Sequence, residues 1–322
     1  MSLNTSNSND LTSSSVLLNH VKFGVFLILQ ICSVSCSLYV FWRYITVQNL
    51  RQSIYNLVVI VLLWINFIFV VIPQSASEAF FFESHIRPES DLYCGLWTWI
   101  HYSTDISNLT VMTFACAERH WLLFRVNPLP NKRSRVIYHY IPITVSLIYP
   151  WLFYFVFLFL YSCESTYDYS QLLCAILCYF STSSIANFDT FTNNWIPIIA
   201  IPILSGALLV RFLFQKRRMQ HEVFRWKRDR KMVIQLLSIA SLYFLMWAPL
   251  QSALVYTNNV LNGAVPEFVV DYLYILPYFV HLLYPFVVLC SYPELQCRRR
   301  TVLPLETHQL QRITRHQNTR PS

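Results

Sequence analysis

The sequence predicts an all-α membrane protein, a bundle of seven transmembrane helices with its amino terminus outside the cell. Three observations carry this. Hydrophobic residues make up 55% of the 322 and charged residues only 12%, too apolar a mixture for a soluble domain with a polar surface. About seven apolar stretches are long enough to cross roughly 30 Å of hydrocarbon as helices. None of them alternates with the period of two that a barrel strand requires.

Taken in order, residues 1–21 are rich in Ser, Asn and Thr and carry the acceptor sequon Asn4-Thr5-Ser6. They read as a disordered extracellular tail with a glycosylation site at Asn4. The second sequon, at Asn108, lies inside an apolar run and is expected to stay unmodified. The seven-helix transmembrane domain, 22–300, begins with a span near 23–45 that lacks a basic leader and is too long for a signal-peptide core, so it is expected to be retained. Spans near 53–73, 95–123 and 137–161 follow. A fifth, 195–215, holds Pro197 and Pro202 and leaves through a basic run at Lys216. The sixth and seventh, 233–256 and 268–290, each contain an internal proline, Pro249 and Pro285. After them, "SYPELQ", Cys297 and three arginines suit a short amphipathic eighth helix with Cys297 as a palmitoylation candidate. Residues 301–322 form a cytoplasmic tail.

Orientation follows from the basic residues, which stay on the cytosolic side. Arg43 and Arg51, then Arg125, Lys132, Arg133 and Arg135, then the cluster from Lys216 to Lys231, and finally Arg298 to Arg300 all fall on one side. The other side carries Glu83, Glu89, Asp91, Glu164, Asp168, Glu267 and Asp271. The net charge of +8 is therefore a matter of topology and of attraction to anionic lipid, with no nucleic-acid partner needed.

The run "TFACAERHWLLFRV" ends an apolar stretch on Glu118, Arg119 and His120. A charge triplet at a helix end can be simple snorkelling. Spacing adds to this: Cys94 stands at the outer start of the third helix and Arg119 lies 25 positions later, roughly 37 Å along a helix and hence at its cytosolic edge. In these residues the sequence resembles the rhodopsin-like (class A) family of G protein-coupled receptors, whose third helix opens on a disulfide cysteine and closes on Asp/Glu-Arg-Tyr. The resemblance covers about residues 20 to 300. It implies that Glu118 and Arg119 pair in the resting bundle, and that Arg119 turns toward a heterotrimeric G protein on activation. His120 stands where the family has tyrosine.

"SLYFLMWAPL" in the sixth helix resembles the family's Cys-Trp-x-Pro switch through Trp247 and Pro249, with Met246 at the cysteine position and Tyr243 where phenylalanine is frequent. Other positions depart from the pattern. Asn66 replaces the aspartate that helps hold a sodium ion, and Tyr284 and Val288 flank Pro285 where Asn and Tyr are usual. The chain thus reads as a divergent orphan member, taking an unknown small-molecule or peptide ligand at the plasma membrane. A non-signalling decoy receptor and a transporter are the alternatives.

Of the extracellular cysteines, the resemblance implies that Cys94 bridges to the second outer loop. We take Cys178 as its partner, with Cys174 the alternative and a second bridge within the loop. Ionisable residues inside a membrane bundle are costly and are functional candidates by default. His101 and Asp105 sit four apart on one face of the third helix. With Asp271, Tyr274 and Tyr278 on the seventh helix and Trp247 on the sixth, they form the ligand-binding candidates, or else His101 and Asp105 are an internal pair. Neither G-x-S-x-G nor H-E-x-x-H occurs, so no enzyme is expected. No metal site and no cofactor are expected either.

Overall fold

The computed structural model describes residues 5–48, 54–124, 132–163, 167–174, 178–218, 223–260, 266 and 268–291. Asn4, Cys297, the proposed eighth helix and the 301–322 tail lie outside them. The described residues contain no strand. They build seven helical rods, each of which follows from its sequence.

Helix α1 (Thr5–Thr46) is longer at its outer end than the sequence predicted. It begins at Thr5, so most of the expected disordered tail is helical. The reason is local: from 5 to 46 there is no proline and only one glycine, Gly24, hence nothing to stop the helix. Helix α2 runs Ile54–Val71 and resumes after Ile72 as Pro73–Glu83. Pro73 is tolerated because it opens a new first turn, and Ser84 closes the rod in a left-handed conformation, its N–H bonded to the Phe80 carbonyl.

Helix α3 (Asp91–Phe124) is the axis of the bundle, packed against α2, α4 and α5. Helix α4 is one rod assembled from Lys132–Arg135, the π-turn Val136–Tyr140, Ile141–Phe155 and a second π-turn, Val156–Leu160. Helix α5 comprises Ser183–Phe188, the π-segment Asp189–Trp195 and Ile196–Arg218. It starts a dozen residues before the apolar window, because polar Asp189 and Asn193 are buried against neighbouring helices. Helix α6 spans Val223–Val260, and α7 comprises Val269–Leu273 and Leu276–Ser291. Helix α6 packs on α5 and α7, and α7 returns to α1 and α2, closing the ring.

Six of these rods are long and apolar enough to cross a membrane. The exception, α3, explains itself. Thr98, His101, Ser103, Thr104, Asp105, Ser107 and Asn108 are all buried, so the polar residues that lower its hydropathy face protein instead of lipid. The outer rods do the reverse and leave large apolar side chains such as Ile28, Trp64, Leu152, Ile203 and Leu245 exposed, as a hydrocarbon solvent allows. The chain is a multi-pass membrane bundle. Gly95 lets α3 come close to the end of α4, since a β-carbon there would lie 3.2 Å from the Phe159 ring and 3.3 Å from the Tyr167 hydroxyl.

Candidate functional site

Polar groups without water must satisfy one another, and at mid-depth the bundle does this with one connected network. His101 and Asp105, four apart on α3, face each other, with His101 Nε2 3.4 Å from one Asp105 oxygen. The second Asp105 oxygen is 2.6 Å from His281 Nε2 on α7. The other ring nitrogen of His281, Nδ1, lies 3.3 Å from the Asn108 amide nitrogen. An amide N–H can only donate, so Nδ1 accepts and the proton facing Asp105 is on Nε2. Asn108 also exchanges bonds with Asn66 on α2, at 3.1 and 3.3 Å. Its carbonyl accepts the Tyr243 hydroxyl of α6 at 2.6 Å. Phe69 of α2 covers the group by stacking on His281 at 3.7 Å.

Helices α2, α3, α6 and α7 thus meet on one buried hydrogen-bond chain. Asn108 is sealed inside it, a placement that leaves its sequon no room for a glycan. Asn66, which stands where the family usually has the aspartate of a sodium site, is paired here with the Asn108 amide. Among the described residues, no group of three or more metal-ligating side chains could hold a metal ion.

Of the ligand-binding candidates, His101, Asp105, Trp247 and Tyr278 are buried. The Tyr278 ring lies 5.5 Å from that of His101 and its hydroxyl bonds Ser77 at 2.9 Å. His101 Nδ1 and the Trp247 indole nitrogen are buried without a hydrogen-bond partner among the described residues. Tyr274 is half-buried at the break in α7. Asp271 is placed differently from the α3 pair: its carboxylate is engaged by Lys22 of α1 at 3.2 Å, and Lys22 also lies over the Phe81 ring. It therefore joins α1 to α7.

At the other end of α3, Glu118 and Arg119 are both buried. The partner that the structure gives the Glu118 carboxylate is Nδ1 of His139 on α4, whereas the resemblance implied Arg119. His120 bonds the Leu204 carbonyl of α5 at 2.6 Å. Residues 118 and 120 therefore tie the end of α3 to two different helices, with Arg119 between them. Pro249 sits inside α6 and Trp247 just before it.

The outer loop corrects one assignment. Cys94 is bridged to Cys174, and Cys178 to Cys163, so Cys178 is not the partner of Cys94. Leu173 and Cys174 both adopt left-handed backbone, φ 59°, which turns the loop down onto the start of α3. There the Thr98 hydroxyl bonds the Leu173 carbonyl, and Ile86, Trp97 and Leu173 bury the bridge. Four residues further on, Cys178 has already reached the end of α4. Above this turn, Asp168 accepts the Ser170 hydroxyl at 2.6 Å, the Ser170 N–H at 2.9 Å and the Gln171 amide at 2.7 Å. These donors hold its carboxyl below the usual range.

Sequence reasoning missed His139, His281, Asp189 and Lys22. Asp189 accepts the hydroxyls of Tyr154 and Tyr179, each at 2.9 Å, and the Asn193 amide at 2.6 Å, pinning the outer loop to α4 and α5. All four carried the same signal, an ionisable residue inside or beside an apolar run.

No protein-family model matches the chain, and no curated protein matches it. A solved structure does. The crystal structure of squid rhodopsin aligns with a TM-score of 0.67 over 86% of this chain and 83% of that one, at 15% sequence identity. The fold is rhodopsin-like. Helix α3 of this chain, packed on α2, α4 and α5, carries the two buried polar sites described above at two depths along its length. At this identity the likeness concerns the backbone plan; the side chains at both sites are this chain's own.

Proposed function

We propose that the chain is a G protein-coupled receptor of the plasma membrane, which binds an extracellular ligand in its outer half and activates a heterotrimeric G protein through outward movement of α6. The observation that supports this best is the burial of Glu118 and Arg119 together at the basic, cytosolic end of the central helix of a rhodopsin-like fold. Burying an arginine and a carboxylate is expensive unless they are paired and used. His101, Asp105, Trp247 and Tyr278 are the ligand-facing candidates in this reading. The network through His281, Asn108 and Tyr243 connects them to α6. A ligand favouring one packing of these helices would shift the bundle between two states.

The test is guanine-nucleotide exchange on a panel of purified G proteins, with the protein in lipid nanodiscs. Basal exchange is expected to depend on Arg119, falling in Arg119→Ala, and to rise in Glu118→Gln. If wild type and both variants match empty discs across the panel, the reading gives way to a non-signalling decoy receptor or a transporter.

A further inference from the structure

We propose that His139 is a positioning residue that sets the resting activity of this protein by competing with Arg119 for the Glu118 carboxylate; the proposal rests on the receptor reading above. The first observation is burial against context. Within the π-turn Val136–Tyr140, residues 136, 137, 138 and 140 are exposed, as suits a rod facing lipid, whereas His139 is 0% exposed. One residue of five is turned inward, and it is the one with an imidazole. A π-turn widens the helix locally and re-aims side chains, and such turns recur where a side chain has a task.

The second observation is where the ring goes. His139 Nδ1 meets the Glu118 carboxylate, whose side chain is 3% exposed. Nε2 is buried with no hydrogen-bond partner among the described residues, and the Tyr140 ring stands edge-on at 5.1 Å. Among the described residues, the imidazole is therefore held by a single polar bond. Packing alone does not call for histidine here, since an apolar side chain would fill the space without burying an unpaired nitrogen.

The third is the neighbourhood of the carboxylate. Arg119 is the next residue and is buried beside it, while His120 is committed to the α5 carbonyl of Leu204. Glu118 thus has a cation adjacent in sequence and an imidazole across the helix interface. On the receptor reading Arg119 is the alternative partner of this carboxylate, so what His139 takes from it Arg119 loses. Removing the imidazole then leaves Glu118 to Arg119, tightens the latch and lowers basal exchange.

The experiment measures basal nucleotide exchange in nanodiscs for His139→Ala, His139→Phe and His139→Gln, each alone and combined with Glu118→Gln. His139→Ala and His139→Phe are expected to lower exchange about fivefold, within the range that coupled neighbours show. His139→Gln, which keeps a neutral N–H donor, restores most of it. In the Glu118→Gln background all three substitutions are silent. A His139→Phe protein with wild-type exchange makes the residue a packing element and overturns the proposal. So does an effect that persists undiminished beside Glu118→Gln, or a rise in exchange on removing the imidazole. These outcomes are read against a wild type that drives exchange. If wild type, Arg119→Ala and Glu118→Gln all fail to do so, the receptor reading itself falls and this proposal with it.

Discussion

His281 of α7 donates from Nε2 to Asp105 of α3 at 2.6 Å, and both side chains are buried. Two helices far apart in sequence are thereby joined at the centre of the bundle, and the bond continues through Asn108 to Asn66 and Tyr243. Such a chain fixes which residue of α7 faces which residue of α3, because any other register leaves a buried donor or acceptor unpaired.

Substitution of either member should therefore be costly and the pair strongly coupled. His281→Leu alone or Asp105→Leu alone is expected to destabilise the bundle by about 3 kcal/mol, since each strands its partner. The double substitution should cost less than the sum of the two. Thermal inactivation of the detergent-solubilised protein reads this directly. Additive losses would mean that the two residues matter independently.

Trp247 presents the opposite case, a buried indole whose N–H has no partner among the described residues. Trp247→Phe removes that group and keeps an aromatic ring, so stability should change by less than about 1 kcal/mol in either direction. Trp247→Ala leaves a cavity and should cost about 3 to 5 kcal/mol. A Phe variant as damaged as the Ala variant would show that the N–H is satisfied after all. If the residue also senses ligand or switches the bundle, Trp247→Phe should alter signalling without altering the melting point.

The rods were legible from the sequence because hydrocarbon imposes a length and a composition on each of them. Their ends were not. Helix α1 begins at Thr5 and α5 at Ser183, where polar residues continue the helix and an apolar window sees nothing. Asp105 and His101 could be paired by reading along one helix, since four residues make one face. His281 and His139 could not be assigned to Asp105 and Glu118, because a contact between rods depends on which faces meet. That is fixed only by the packing of all seven, and by π-turns such as Val136–Tyr140 that a regular period cannot anticipate.

In the outer loop, Asp168 offers a titration that reports its turn. Three donors, first among them the Ser170 hydroxyl, favour its charged form, so its folded pKa lies below the unfolded value of about 3.9. A depressed carboxyl stabilises the loop above the unfolded pKa, and that contribution disappears as pH falls through the folded one. With carboxyl-labelled aspartate, NMR should place the Asp168 midpoint below the ordinary range, and Ser170→Ala should raise it. A midpoint at or above that range would mean the turn is not formed in solution.

The two bridges make the sharpest prediction about the outer face. Proteolysis without reduction, followed by mass spectrometry, should recover Cys94 joined to Cys174 and Cys163 joined to Cys178. A Cys94–Cys178 peptide would contradict the structure. The two bridges close stretches of 80 and 15 residues, and chain entropy then gives about 4 to 5 kcal/mol for the longer and about 3 for the shorter. The paired substitution Cys94→Ser with Cys174→Ser should therefore lower thermal stability more than Cys163→Ser with Cys178→Ser. The shorter bridge has a different effect. Tyr179 follows Cys178 directly and bonds the buried Asp189, so opening the Cys163–Cys178 bond should loosen the loop from α4 and α5. Amide hydrogen exchange should show this as faster labelling around residues 178–182, with α3 unchanged. Equal protection in both paired variants would mean that Tyr179 holds the loop without the disulfide.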